Sequence, residues 1–252
     1  MHLSDLKLTL LFDNVAYDPR LNCLWGFACL YEGPGVRVLF DTGSNGRLLL
    51  HNMRTLGIDP SGIDFLFLSH THWDHMGGLD TVLELNPGLH LLVPAGTSPR
   101  MIDNLHMLCR KVSIVGKDPL AFAPALASSG TFPSEPPEQA LVITASEGAV
   151  VITGCAHPGV VTIADAVTRQ TGTTVALLAG GYHLFQESAE TVTQTAEDLA
   201  ALGVRHIMPT HCTGASAMQQ LQELFGQRFI PGGQGHVVAF DKDGRPGKAG
   251  AE

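Results

Sequence analysis

The stretch LSHTHWDHMGG, residues 68–78, sets His70, His72, Asp74 and His75 within six positions, directly after the apolar run IDFLFL. An apolar run of that length reads as a strand buried on both faces. Such a strand needs layers above and below it, which points to an α/β architecture. In folds of that kind ligands gather beyond the carboxyl ends of the strands, where this cluster stands. Imidazole is the commonest protein ligand for zinc, and a carboxylate completes such shells, so the run is read as a metal cradle rather than a solvated loop. His70 and His72 alternate along an extended segment and point to one side, so both reach one ion. Asp74 and His75 follow as the chain turns and can face a second ion. Gly77 and Gly78 permit a sharp exit into the next helix.

The rest of the chain repeats this logic. Four runs end in a histidine: FLFLSHTHWDH, VVITGCAH, ALLAGGYH and HIMPTH. If their ends share one edge, His157, His183 and His211 join the cluster. His2, His51, His90, His106, His206 and His236 are read as structural or exposed. Cys155 and Cys212 are read as small buried residues beside the site. LKLTLLFDN, WGFACLYEG and VRVLFDTG are short β-prone runs bounded by turn formers. NGRLLLHNMRTLG is helical, with Leu49, Met53 and Leu56 on one face and Gly57 at its end. QALVITAS and GAVVITGCAH read as a strand pair, and helices follow over GVVTIADAVTRQTG, SAETVTQTAEDLAALG and ASAMQQLQELFG. Mixed β and βα units of this kind suggest two sheets between helix layers. Residues 117–138, rich in Pro, Ala and Ser, are expected to form a surface loop or lid. Residues 241–252 are expected to fray.

A chain of 252 residues, 44% hydrophobic and 15% charged, suits a single globular domain spanning 1–252. A net charge of −9 with no basic stripe argues against nucleic acid as a partner. It does not exclude an anionic substrate, because a bound ion dominates its local field. The five cysteines form no CxxC pair, so a reducing, cytoplasmic setting is expected. The start MHLSDLKLTLLFDN lacks a cationic leader, and no apolar run is long enough for a membrane span. The expected partner is a small-molecule substrate.

Four motifs resemble those of the metallo-β-lactamase superfamily: LFDTG with Asp41, HTHWDHMGGL, GCAHPG and PTHCTG. Together with GGYHL they resemble one branch, the metal-dependent hydrolases related to dihydropterin–ribofuranosylaminobenzene-phosphate synthases. The resemblance covers most of the chain. It implies an α/β fold of α+β character, a four-layer αβ/βα sandwich with the metals at one sheet edge. It implies a first site of His70, His72 and His157 and a second of Asp74, His75 and His211. Asp41 would accept a proton from a ligand imidazole and fix its orientation. Many two-metal members carry a bridging aspartate between the third and last motifs. ALLAGGYHLFQES has none and offers His183, as a further ligand or a general acid.

The implied cofactor is zinc, one or two ions, ahead of manganese or iron; His72 stands where iron redox members tend to carry Glu. The implied activity is a metal-dependent hydrolase in which metal-bound hydroxide attacks a phosphate or diphosphate ester or a pterin-like substrate. Asp74 would orient the nucleophile and His183 would protonate the leaving group. A synthase reading displaces diphosphate as an aryl amine attacks, with Trp25 and Trp73 available to stack on a flat ring, although simple packing is the plainer role for both. Lactone or thioester hydrolysis is an alternative, and a metal-bearing binding or regulatory protein with a vestigial site is one of another class.

Overall fold

In the computed structural model, which describes residues 1–248, the β-prone N-terminal runs form β1 (Lys7–Phe12), β2 (Ala28–Gly33) and β3 (Val36–Phe40), an antiparallel meander. The chain then changes to βα units: α1 (Gly46–Thr55), β4 (Phe65–Phe67), the single turn α2 (Trp73–Met76), α3 (Leu79–Leu85), β5 (His90–Pro94), α4 (Pro99–Leu108) and β6 (Lys111–Val115). β3, β4, β5 and β6 pair in parallel. Asn45 caps α1 by accepting from the Leu48 amide, and Ser98 caps α4 ahead of Pro99, the residue types helix starts favour. Leu49 and Met53, one turn apart on α1, are buried together as the helical period requires.

The second sheet is built by β7 (Leu120–Ala123), β8 (Leu126–Phe132), β9 (Glu138–Ala145), β10 (Gly148–Thr153), β11 (Val175–Gly181) and β12 (His206–Thr210). Between and after its last strands lie α5 (Val160–Thr171), α6 (Ala189–Ala201) and α7 (Ala215–Phe225). β13 (Val237–Phe240) and β14 (Pro246–Lys248) then return to the first sheet beside β1. The eight-stranded sheet runs β14-β13-β1-β2-β3-β4-β5-β6, and the six-stranded sheet runs β12-β11-β10-β9-β8-β7.

Leu10, Phe40, Phe67, Leu92, Leu141 and Ile152 belong to the core shared by the two sheets. Leu49, Leu83 and Leu105 pack with the outer side chains of the first sheet, and Ile163, Leu199 and Leu221 with those of the second. The result is the expected four-layer αβ/βα sandwich. β1, β3 and β4 run in one sense, and β10, β11 and β12 are mutually parallel. Gln139, at the start of β9, joins the sheets where those strands end, donating from its amide to the Ser69 carbonyl (2.9 Å) and from Nε2 to the Leu68 carbonyl (2.8 Å).

Two sequence expectations are overturned. Residues 117–138 are not a loop or lid, because they contain β7 and β8, paired antiparallel at the edge of the second sheet. Their prolines delimit the strands instead of interrupting them: Pro119 precedes β7, Pro124 lies in the turn and Pro133 follows β8. Proline is tolerated at strand starts and at sheet edges, which a composition-based reading cannot resolve. In the tail, residues 241–248 turn back so that Phe240 pairs with Pro246 and Val238 with Lys248. Residues 249–252 lie outside the described residues.

Candidate metal centre

Each predicted histidine follows a strand that ends at the shared edge: His70 and His72 after β4, His157 after β10, His183 after β11 and His211 after β12. The turns there are strained. Asp41, Ala156, His183 and His211 adopt positive φ angles of 56°, 59°, 54° and 52°, a region non-glycine residues seldom enter. Such strain persists only where surrounding structure enforces it, and it concentrates at functional sites.

His70, His72 and His157 form a near-symmetric triangle. Each pair of ring centroids is 4.9 Å apart, with planes crossed by 75°, 77° and 86°. Nε2 of His70 and of His157 are buried without a hydrogen-bond partner. Asp74, His75 and His211 form a second group. His75 Nε2 lies 3.2 Å from His211 Nε2, and Asp74 Oδ2 lies 3.4 Å from His211 Nε2 and 3.7 Å from His75 Nε2. Tetrahedral zinc with ligand bonds of about 2.0–2.3 Å sets ligand atoms about 3.3–3.8 Å apart, so these spacings are close to what one ion needs. Within each trio the ligand atoms lie within 4.8 Å of one another.

The hydrogen bonds fix which nitrogens face inward. Asp41 accepts from the Ser69 amide through Oδ1 (2.7 Å), and through Oδ2 from Ser69 Oγ (2.6 Å) and His75 Nδ1 (2.7 Å). Ser69 Oγ spends its proton on Asp41, so toward His70 Nδ1, 2.8 Å away, it accepts. His211 Nδ1 donates to Asn14 Oδ1 (2.8 Å), and Asn14 Nδ2 returns a bond to the His211 carbonyl (3.2 Å). In all three imidazoles Nδ1 therefore carries the proton and Nε2 keeps its lone pair. In His75 and His211 those lone pairs face each other beside a carboxylate, an arrangement that a cation stabilises. Among the described residues, the ion-pair partners of Asp41 and Asp74 are histidines.

The protonation tendencies agree for His70, His157 and His211 but not for His75, where burial lowers the imidazole and the Asp41 carboxylate outweighs it, so that it is held above the usual range in the absence of an ion. Burial holds His211 and His157 down to about 4 and His70 well below the usual imidazole range. Burial opposes ionisation of Asp74, but the neighbouring His211 and His75 outweigh it and hold that carboxyl at about 2.

Several residues of the site were not singled out from sequence. Glu138, fully buried, accepts from the amides of Gly154 (3.1 Å), Cys155 (3.0 Å) and Ala156 (2.9 Å) through Oε1, and from that of His157 (2.8 Å) through Oε2. It shapes the loop that presents His157. Asn14 and Ser69 hold His211 and His70. Gly154 is confined by close approach, since a Cβ there would stand 2.2 Å from Ser69 Oγ. Asp13, beneath His211, accepts from the Val15 amide and from Thr210 Oγ1.

His183 does not join either trio. It is exposed at the mouth, its ring centroid 4.6 Å from that of His157 and 5.4 Å from that of Phe185. A hollow of about 290 Å³ opens there, lined by His157, Gly159, His183 and Glu187. Trp25 stands over His211 at 5.0 Å and meets Phe185 edge-on at 6.3 Å. Trp25 and Phe185 are 41% and 44% exposed and Trp73 is 63% exposed, so these rings are not simple core packing.

Comparison with known proteins accords with this geometry. Residues 25–106 match the model of the metallo-beta-lactamase superfamily. The 7,8-dihydropterin-6-methyl-4-(beta-D-ribofuranosyl)-aminobenzene-5'-phosphate synthase of Methanocaldococcus jannaschii is 27% identical, the alignment covering 92% of this chain and 95% of the relative. Among solved structures, Tm1679, a metal-dependent hydrolase of the beta-lactamase superfamily, superposes with a TM-score of 0.79 at 23% identity, covering 94% of this chain and 100% of the other. YhfI from Bacillus subtilis, a metallo-beta-lactamase fold protein, gives 0.66 at 15%, covering 92% and 98%. The sheet order and these matches agree: the chain has the metallo-β-lactamase fold, its residues 25–106 match that superfamily's model, and over most of its length it is similar to the dihydropterin–ribofuranosylaminobenzene-phosphate synthase of Methanocaldococcus jannaschii.

Proposed function

We propose that this chain is a zinc-dependent metallohydrolase acting on a small phosphate or diphosphate ester, a pterin-like one included. The observation that carries the reading is the convergence of imidazole nitrogens whose lone pairs are fixed inward by Asp41, Ser69 and Asn14. His70, His72 and His157 would hold one ion, and Asp74, His75 and His211 a second. Bound zinc supplies Lewis acidity and lowers the pKa of its water toward ~7. The protein's own part is to fix the donors, to orient the attacking group through Asp74 and to exclude bulk water from the buried floor. His183, free at the mouth, is placed to protonate a leaving oxygen.

A second reading is favoured by the relative's name. A synthase joining a dihydropterin-methyl group to an arylamine would use the same edge, with Trp25, Phe185 and Trp73 offering faces to flat rings.

Metal content per chain, measured by plasma mass spectrometry beside a His72→Ala control, tests the metal. About one to two zinc ions per chain, markedly reduced in the control, are expected. No binding after supplementation with Zn²⁺, Mn²⁺ or Fe²⁺ would overturn the reading. Turnover of aryl phosphodiesters and diphosphate esters, set against acyl-lactones and against a dihydropterin-methyl diphosphate with an aryl amine, then separates hydrolase from lactonase and synthase.

A further inference from the structure

We infer that Cys155 is a thiolate ligand to the ion held by Asp74, His75 and His211, an inference that rests on the metal reading above. The superfamily's usual bridging carboxylate has no counterpart in ALLAGGYHLFQES, and the structure sets a different anionic donor beside the two sites. Cys155 Sγ lies 3.2 Å from His75 Nε2, near the N-to-S edge of about 3.5 Å that a tetrahedral zinc site requires. Cys155 shares one group of converging ligand atoms with His70 and His75, and another with His211 and Cys212, each within 4.8 Å. One sulfur thus stands close to donors of both proposed sites. Cys155 is 4% exposed and in no disulfide.

The neighbouring cysteine is distinguished by its contacts. Cys212 Sγ donates to the Cys155 carbonyl at 3.6 Å and is packed where a Cβ on Gly181 would meet it at 2.6 Å. Cys155 Sγ is instead directed at the His75 nitrogen that keeps its lone pair. The Glu138 clamp on the Cys155 amide fixes the backbone that aims this sulfur. When metal binds, the Sγ–H proton leaves to solvent as the sulfur–metal bond forms, so one proton is released for the thiol. Thiolate favours zinc and related soft-accepting ions over magnesium or calcium.

The test reconstitutes metal-free protein with Co²⁺ and compares parent, Cys155→Ser and Cys212→Ser. Visible d–d bands report that cobalt is bound; a near-ultraviolet sulfur-to-cobalt charge-transfer band reports a thiolate ligand. The expected result is both features in the parent and in Cys212→Ser, with the charge-transfer band lost in Cys155→Ser. Bound cobalt without that band in the parent would overturn the Cys155 assignment and leave the metal reading standing. A band that survives in Cys155→Ser and vanishes in Cys212→Ser would also overturn it. Absence of bound Co²⁺ and Zn²⁺ alike would remove the metal reading itself. Should Cys155→Ser not fold, zinc-edge X-ray absorption on the parent decides the point. A sulfur shell at about 2.3 Å, beyond nitrogen and oxygen at about 2.0–2.1 Å, is expected, and its absence refutes the inference.

Discussion

Asp41→Asn should weaken both proposed ions through one change of proton placement. Asp41 is fully buried, and its Oδ2 receives Ser69 Oγ and His75 Nδ1 at 2.6 and 2.7 Å. Asparagine keeps an oxygen for the Ser69 amide and turns an NH2 toward the other two partners. That NH2 can only donate, so His75 must move its proton to Nε2, the nitrogen aimed at His211 and Asp74. Ser69 Oγ then accepts a hydrogen bond from the new NH2 and turns its own O–H to donate to His70 Nδ1, which forces His70 into the same tautomer. Outer partners of metal-bound histidines contribute about 10–100-fold in affinity, or about 1.4–2.7 kcal/mol for each ion. Competition against a chromophoric chelator, read at both binding steps, measures this. Both steps should weaken by at least tenfold while far-ultraviolet circular dichroism is unchanged. Parental affinities at both steps in a folded Asp41→Asn would refute the hydrogen-bond assignment.

Other substitutions should separate the two sites. Asn14→Ala removes the acceptor for His211 Nδ1, so the ion at Asp74, His75 and His211 should weaken by about 10–100-fold while the other keeps its affinity; equal loss at both steps would be contrary. Glu138→Ala leaves three buried amides and one half-buried amide without their acceptor, the buried ones at about 1–3 kcal/mol each, so urea denaturation should show a loss of several kcal/mol, and a change under 1 kcal/mol would count against the clamp. Burial raises Asp13 from 3.8 to about 7, so the folded chain holds a proton that the unfolded chain has released across that interval. Its contribution to stability is full below pH 3.8 and lost as pH rises toward 7. Asp13→Asn lacks this dependence, so metal-free Asp13→Asn should gain on the parent by an amount on the order of 4 kcal/mol between those limits, and a pH-independent difference would refute the shift.

The residues that converge at the candidate centre were legible because their signal is local. His70, His72, Asp74 and His75 announce themselves by spacing, and His157 and His211 by apolar runs that deliver them to one edge. The residues that make those donors useful were not. Asn14 lies 197 positions from His211, and nothing near FDNV distinguishes it from a turn asparagine. Glu138 follows a proline-rich stretch and reads as a solvated acid, although β9 buries it beneath the Gly154–His157 loop. The strands β7 and β8 were hidden for a related reason, since composition reports how often proline and serine occur and not that they stand at strand ends. A histidine's residue type is visible in sequence; the nitrogen that keeps its lone pair is set by contacts that only the assembled sheets create.

That distinction also separates a metal centre from a cluster of satisfied histidines. In a satisfied cluster, ring nitrogens pair with complementary donors and acceptors, and burial costs little. Here the pairing is one-sided. Asp41, Ser69 and Asn14 each occupy an Nδ1, the Nε2 of His70 has no hydrogen-bond partner among the described residues, and those of His75 and His211 oppose each other, with the weak thiol donor of Cys155 3.2 Å from His75. Leaving buried acceptors unmatched costs about 1–3 kcal/mol apiece, and four residues that approach or form the centre, Asp41, Ala156, His183 and His211, add backbone strain of about 1–3 kcal/mol each. A chain free to relax would rotate those rings or turns outward. The Asp41 network, the Asn14 bridge and the Glu138 clamp prevent it, because each is anchored at a different strand end of a closely packed sandwich. The sheets thus hold a set of lone pairs together that water would otherwise separate, and this stored cost is what the binding of a cation, as proposed, would release.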